Sequence, residues 1–218
     1  MIARKALFAA TLAAAVALGG CRHGQGDIVV DEGVGVTALR SVCPAVGVPN
    51  FTGDMTLFNP PAARTADALD IEASITNVRS QCTDSTDPVA VTASFDVIAQ
   101  RRDTHGARTL QLPYFTTVLR GGTAVISKRL GTVTVSFADG QARAQGHGTA
   151  AAYVTKAAAT LPDDVRQRIT ERRKAGDQEA AIDPLSRPEI RTAVARATFE
   201  LLIGFQLNDE QLAYNATR

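Results

Sequence analysis

The chain has 218 residues, with 23 basic and 22 acidic side chains, no tryptophan and 5% aromatic residues. A near-neutral charge balance gives no sign of the basic face that nucleic-acid binding usually needs. With so few aromatic residues, an aromatic platform on which sugars stack is also disfavoured. The length is enough for one domain with a sizeable buried core.

The first 21 residues have the features of an export signal. A short basic start is followed by a mainly apolar run over residues 6–18, which is too short to span a bilayer. Leu18-Gly19-Gly20-Cys21 comes next, and this stretch resembles a bacterial lipobox. The resemblance implies cleavage before Cys21, a diacylglycerol on its thiol and a further acyl chain, such as palmitate, on the new amine. An ordinary secretory signal that leaves Cys21 as a free thiol is the alternative.

The lipobox resemblance also implies a location in the bacterial cell envelope. Two or three acyl chains anchor a protein stably, whereas one chain binds weakly, because each buried methylene contributes only about 0.8 kcal/mol. Arg22 follows the cysteine where an enteric inner-membrane retention signal has aspartate, which favours the outer membrane, facing the periplasm. Removing residues 1–20 leaves 21 basic and 22 acidic side chains, so the mature chain is again not expected to bind nucleic acid.

Cys43 and Cys82 are the cysteines that remain after lipidation of Cys21. An exported chain with two cysteines most simply pairs them, so we expect a Cys43–Cys82 disulfide; two buried free thiols are the alternative. Closing a loop of about 40 residues would stabilise the fold by roughly 4 kcal/mol on the chain-entropy model. Neither cysteine has a second Cys or a His at ligand spacing, and we expect no metal or other cofactor.

The mature chain divides into a tether and one domain. Residues 21–35 contain four glycines and little apolar periodicity, which predicts a flexible tether. Residues 36–218 predict a single β-rich domain. Its first clear strand is Met55–Phe58, which ends at the turn signal Asn59-Pro60-Pro61.

Alternating sequences predict the next strands. Residues 69–76 and 89–98 alternate apolar and polar side chains, which is typical of strands with one solvated face. Cys82 lies in the polar stretch between them, for which we expect a loop. Residues 101–106 predict a hairpin connection, with Gly106 at a position of positive φ.

Three further strands are predicted after this hairpin. Residues 110–119 contain Pro113, which has no N–H to donate and therefore indicates an edge strand or a bulge. A turn at Gly121-Gly122 separates them from predicted strands over 124–130 and 133–137. Five strands at hairpin spacing predict a mainly β (α+β) fold, an antiparallel β-sandwich that is immunoglobulin-like or barrel-like. A parallel α/β sheet is disfavoured because no room is left for crossover helices.

The last third of the chain changes in composition. Residues 142–159 favour a small-residue strand that ends near Thr155, with a helix as the alternative. A helical segment over about 161–197 follows, with one helix starting at Thr160-Leu161-Pro162-Asp163 and a second at Ser186-Arg187-Pro188-Glu189.

Two helices would thus be inserted before a C-terminal strand. Residues 198–207 alternate like a strand, although a helix that continues to Ile203 competes with this interpretation. Asn208-Asp209-Glu210 would cap a last short helical turn.

The sequence contains no recognisable catalytic motif. No Gly-x-Ser-x-Gly nucleophile elbow occurs, and none of the three histidines has a second His or Cys three to five residues on. His147 lies between Gly146 and Gly148, which would leave it accessible, so we single it out as a surface candidate. An exposed histidine without a function explains the same pattern.

Arg172 and Arg173 belong to a basic helical stretch, the second surface candidate. Nearby acids dilute the charge and no aromatic residues are interleaved, which argues against stacked nucleic-acid bases. Acidic lipid headgroups or an acidic envelope polymer would suit this stretch, and a solvated helix face is the simpler alternative.

Two functions are consistent with the sequence. The first is a membrane-anchored cell-envelope lipoprotein with a binding or structural role, whose partner is an envelope protein or polymer. The second is a hydrolase-like envelope enzyme whose acids, such as Glu72, Asp96 or Asp139, are dispersed in sequence and meet only in the fold. Two carboxylates, or His147 with an acid, in one concave pocket would favour the enzyme.

Overall fold

The computed structural model describes residues 41–171, 176 and 182–217. This part of the chain forms eight strands and four α-helices. The strands are β1 (Ala45–Gly47), β2 (Asp54–Phe58), β3 (Leu69–Thr83), β4 (Val89–Arg101), β5 (Arg108–Arg120), β6 (Ala124–Phe137), β7 (Arg143–Val154) and β8 (Phe199–Phe205). The helices are α1 (Lys156–Ala159), α2 (Asp163–Thr170), α3 (Pro188–Arg196) and α4 (Asp209–Thr217).

The strands form two four-stranded sheets. The first sheet has the order β1-β8-β5-β6 and the second has the order β2-β3-β4-β7. The pairings are antiparallel except for β1 with β8, which run parallel, so the first sheet is mixed where we had predicted purely antiparallel pairing. The mainly β, sandwich-like or barrel-like α+β fold predicted from the sequence is confirmed.

The core lies between the inner faces of the two sheets. Strand β4 shows why this sequence forms such a strand, because every second side chain from Val89 to Ala99 is buried while the residues between them are less so. The largest fully buried side chains come from both sheets and include Phe95, Phe137 and Phe205. Burial of one such ring contributes about 1.5–3 kcal/mol.

Residues 124–137 form one continuous strand, β6, so the prediction of two strands there is wrong. Gly131 lies inside the strand and pairs with Tyr114 on β5. A Cβ at Gly131 would lie 2.5 Å from Cζ of Tyr114. The glycine therefore leaves room for the Tyr114 ring within the strand and does not form a turn. The four predicted strands that remain over residues 69–137 correspond to β3, β4, β5 and β6.

Strand β3 runs through Cys82, where we had predicted a loop. A bulge between Thr76 and Arg79 adds one residue, and Asn77 in the bulge has a φ of 52°. Residues 79–83 then pair with β4 although all five are exposed. Because neither face of this segment is buried, its sequence has no apolar alternation to signal a strand.

Pro113 lies in an internal strand, since β5 has β6 on one side and β8 on the other. The bulge in the β5–β6 pairing lies instead at Val118 and Leu119, so the expectation for Pro113 was wrong on both counts. The carbonyl of Pro113 accepts from Gln206 N at 2.9 Å, on the side of β8. The β8 pairing begins one residue later, at Tyr114, so the missing N–H removes no ladder hydrogen bond.

The predicted strand over residues 142–159 and the two predicted helices are present as β7, α2 and α3. The first helix starts differently from our prediction, because its N-cap is Pro162 and the Thr160 hydroxyl donates to Lys156 O at 2.7 Å. That carbonyl belongs to α1, a one-turn helix that the sequence analysis missed.

The C-terminal strand is β8, so the predicted strand is confirmed and the alternative, a helix that continues to Ile203, is wrong. Its alternate residues Phe199, Leu201, Ile203 and Phe205 are at most 7% exposed, and the strand pairs with both β1 and β5. Helix α4 follows, and Asn208 caps it as predicted: its Oδ1 accepts from Gln211 N at 2.8 Å, and Gln211 Oε1 accepts from Asn208 N at 2.9 Å.

Candidate functional site

The predicted disulfide is present. The Sγ atoms of Cys43 and Cys82 are 2.05 Å apart, and their Cα atoms are 6.1 Å apart. Cys43 precedes β1 of the first sheet by two residues, whereas Cys82 lies near the end of β3 in the second sheet. The bond therefore joins the two sheets, which is a scaffold role.

Several sequence-predicted residues lie outside the described part of the chain. These are Cys21 with the lipobox, the tether over 21–35, and Arg172 with Arg173. None of the described helices is long and apolar enough to cross a membrane. Within the described ranges, no group of three or more His, Cys, Asp or Glu side chains comes together that could hold a metal ion.

His147 is placed beside an acid on the outer face of the second sheet. It lies opposite Asp96 in the β4–β7 pairing, with His147 Nδ1 3.1 Å from Asp96 Oδ1. Asn77 Nδ2 donates to the other carboxylate oxygen at 2.8 Å, and Arg79 Nε donates to Asn77 Oδ1 at 3.0 Å. The hydrogen bond from Asn77, followed by that from His147, lowers the pKa of Asp96 below its usual value.

This polar cluster lies on an open sheet face, because the His147 side chain is 62% exposed. The other two acids named for the enzyme hypothesis lie elsewhere. Glu72 is paired with Gln100, four residues along β4 from Asp96, or roughly 13 Å away at strand spacing. Asp139 accepts a hydrogen bond from Gly106 N at 2.7 Å in the turn region. The fold thus brings His147 to one of the three acids and leaves the other two apart.

The glycines beside His147 serve the core on the opposite face of β7. A Cβ at Gly146 would lie 2.5 Å from Cγ1 of Val133, and a Cβ at Gly148 would overlap the ring of Phe95. The Phe95 ring also packs edge to face on Tyr114, with ring centroids 5.1 Å apart. Our interpretation that these glycines keep His147 accessible is therefore wrong, because they make room for side chains between the sheets.

Arg101 is a buried arginine that the sequence analysis placed only in a hairpin. It is 2% exposed and lies over the ring of Phe137, 5.1 Å from its centroid. Its guanidinium donates to four main-chain carbonyls in two connections: Thr104 O (2.8 Å) and Gly106 O (2.8 Å) between β4 and β5, and Ala138 O (2.8 Å) and Gln141 O (2.7 Å) between β6 and β7. Arg101 holds the two connections together, which is a structural role.

The inner face of the first sheet is apolar and buried at one end of β6, and polar and exposed at the other end. Near the β6–β7 turn, the inward positions of β6 are the buried Val133, Val135 and Phe137. Beyond Gly131, the same alternation brings Arg129 and Ser127 inward, and both are exposed. The sheets enclose a cleft of about 440 Å³ at this end, which we call the inter-sheet cleft.

The inter-sheet cleft combines an apolar floor with a polar, basic rim. The floor consists of side chains that are at most 8% exposed: Val118, Ala152, Val154 and Phe199. The rim carries hydroxyl groups and two guanidinium groups, which belong to Thr116, Ser127, Thr155, Arg120 and Arg129. Ile126 and Tyr153, which are 57% and 63% exposed, add apolar surface at the opening. The volume lies within the usual range for small-molecule sites.

The charge of the inter-sheet cleft is positive. Arg120 is fixed in place, since its Nε donates to Arg196 O at 2.5 Å and its guanidinium lies 5.6 Å from the centroid of the Phe199 ring. In the described part of the chain neither Arg120 nor Arg129 forms an ion pair, and no carboxylate lines the cleft. The sequence signal for this site is Arg129 and Ser127 in phase with the inward-facing residues of β6, which our division of β6 into two strands concealed.

Comparison of the chain with protein-family models, with curated proteins and with solved structures gives no match, so the function must be argued from the sites themselves.

Proposed function

We propose that the protein is a cell-envelope lipoprotein, anchored by lipid on Cys21, whose β domain binds a ligand or partner. The observation that carries this proposal is the sequence Leu18-Gly19-Gly20-Cys21 after a basic start and an apolar run. The Cys43–Cys82 disulfide supports it, because structural disulfides persist in oxidising compartments such as the periplasm. With Arg22 after the cysteine, the proposed location is the outer membrane, facing the periplasm.

The binding role is argued from the two candidate sites. A nucleophilic mechanism needs a nucleophile within hydrogen-bond reach of its base, in a concave pocket. His147 and Asp96 lie on an open sheet face, whereas the inter-sheet cleft has the volume and mixed lining of a ligand site. The cleft therefore supports binding better than the His147–Asp96 pair supports catalysis.

Metabolic labelling with an alkyne analogue of palmitate tests the anchor. The wild-type chain should incorporate the label and sediment with outer membranes, whereas Cys21→Ser should incorporate none and should no longer sediment with outer membranes. Cys43→Ser is the matched control and should be labelled like the wild type, because its thiol is in the disulfide. Equal labelling of the wild type and Cys21→Ser would contradict the lipoprotein proposal.

A further inference from the structure

We propose that the inter-sheet cleft binds an anionic amphiphile, a molecule with a carboxylate or phosphate head on an acyl chain. The head would pair with Arg129 and Arg120 at the rim, and the chain would lie on the apolar floor. The inference rests on the proposed binding role of the domain, but it does not depend on the lipid anchor at Cys21.

Charge and geometry at the rim favour an anionic head. Among the described residues, two guanidinium groups and no carboxylate line one small cleft, together with the hydroxyl groups of Thr116, Ser127 and Thr155. Guanidinium groups form strong, bidentate hydrogen bonds with carboxylates and phosphates. Because the stacking on Phe199 and the bond to Arg196 O hold Arg120 in position, part of the site is preorganised.

The floor favours an acyl chain over a small free anion. Ala152, Val154, Val118 and Phe199 offer a buried apolar surface directly below the charged rim. A free phosphate or acetate would leave the exposed side chains of Ile126 and Tyr153 at the opening in contact with water, whereas an alkyl chain that reaches the floor would cover them.

A fluorescence titration tests the proposal. The mature chain from residue 21 onward, carrying Cys21→Ser, is used, so that neither the apolar signal nor a detergent competes. The probe is dansyl-undecanoate, whose emission rises on burial. We expect saturable binding of one probe per chain and at least tenfold weaker binding of its neutral methyl ester. Displacement by dodecanoate would identify a carboxylate head and displacement by dodecyl phosphate a phosphate head, and both support the proposal. Inorganic phosphate and acetate should not displace the probe.

Variants separate this site from general charge and from misfolding. Arg129→Gln should weaken binding about tenfold or more without changing the thermal unfolding curve, because Arg129 is exposed. Lys128→Gln removes the same charge from the adjacent residue, whose ammonium lies over the Phe115 ring, 5.1 Å from its centroid, and it should bind like the parent.

Several results would overturn the proposal: no saturable binding, equal binding of the acid and its ester, or equal losses in Arg129→Gln and Lys128→Gln. A chain that sediments as a dimer, loses this dimer in Arg129→Gln and binds no probe would assign the cleft to a second copy instead. None of these outcomes affects palmitate labelling, so the cleft and the anchor fail or succeed separately.

Discussion

Arg101 shows how a single residue can carry a tertiary connection. A buried guanidinium is unfavourable unless its donors are satisfied, and here four main-chain carbonyls and the Phe137 ring replace its water. The planar fork of donors suits this task, whereas a lysine ammonium is a compact point charge. The turn at residues 101–106 is predictable from the sequence. Three of the four carbonyls, however, lie five or more residues from Arg101, so no local pattern predicts that they accept its hydrogen bonds.

Substitution of Arg101 tests this connection. Arg101→Lys should lower the free energy of unfolding by about 2–4 kcal/mol. A lysine ammonium has fewer N–H donors than a guanidinium, so it leaves some of the buried carbonyls unpaired. Urea denaturation followed by circular dichroism measures the change. Arg102→Lys is the control at the neighbouring exposed residue, where we expect about 0.5 kcal/mol or less. Similar losses in both variants would mean that the buried contacts of Arg101 add nothing to the free energy of unfolding beyond what an exposed arginine contributes.

At the scale of single elements, β7 depends on small residues that face the core. Its inward positions from Ala144 to Val154 are all small or of medium size, with glycine at 146 and 148. Gly146 lets Val133 of β6 in the facing sheet come close, and Gly148 leaves room for the Phe95 ring of β4, its neighbour in the same sheet. The sequence suggested an exposed His147 on a small-residue strand, which agrees with its 62% exposure, but it did not show that the flanking glycines face the core.

Gly148→Ala tests this close approach. The new methyl group would overlap the buried Phe95 ring, and we expect a loss of about 1–3 kcal/mol in the free energy of unfolding from overpacking. Gly47→Ala in β1 is a matched control, because its Cβ would meet only Leu202 Cδ2 at 3.8 Å. Equal effects of the two substitutions on the urea midpoint would contradict the packing argument.

At the scale of the whole molecule, the Cys43–Cys82 bond joins the start of the first sheet to the second sheet. β1 has three residues and, among the described strands, pairs with β8 alone. The bond closes a loop of 39 residues in sequence separation, so it restricts the unfolded chain considerably. The cysteine count of an exported chain predicted this pair, whereas only the sheet topology shows that the bond joins the two sheets.

Removal of the disulfide should destabilise the whole domain. In Cys43→Ala/Cys82→Ala we expect a loss of roughly 4 kcal/mol in the free energy of unfolding, from the chain entropy regained by the unfolded state. Chemical denaturation with and without dithiothreitol measures it. The reductant should destabilise the wild type to a similar degree and leave the double variant unchanged. A double variant as stable as the oxidised wild type would refute this account.

The amino-acid sequence was enough to predict the mainly β class, the approximate positions of most strands, the disulfide pair, the start of α3 and the cap of α4. The disulfide follows from the cysteine count of an exported chain. The other features follow from short-range patterns, such as alternation over a strand, a proline near a helix start, or Asn208 facing Gln211. The lipobox is also a local pattern, and the anchor on Cys21 stays a prediction from it.

The partition of the strands between two sheets, the continuity of β6 and the position of the inter-sheet cleft are set by the tertiary structure. Alternation says which residues share a face, but it does not say what lies opposite that face. Arg129 is in phase with the buried Val133 and Val135, yet it lines a cleft, because the inter-sheet space is filled at one end and open at the other. Such an opening depends on side chains from several strands and two sheets, which no stretch of sequence contains.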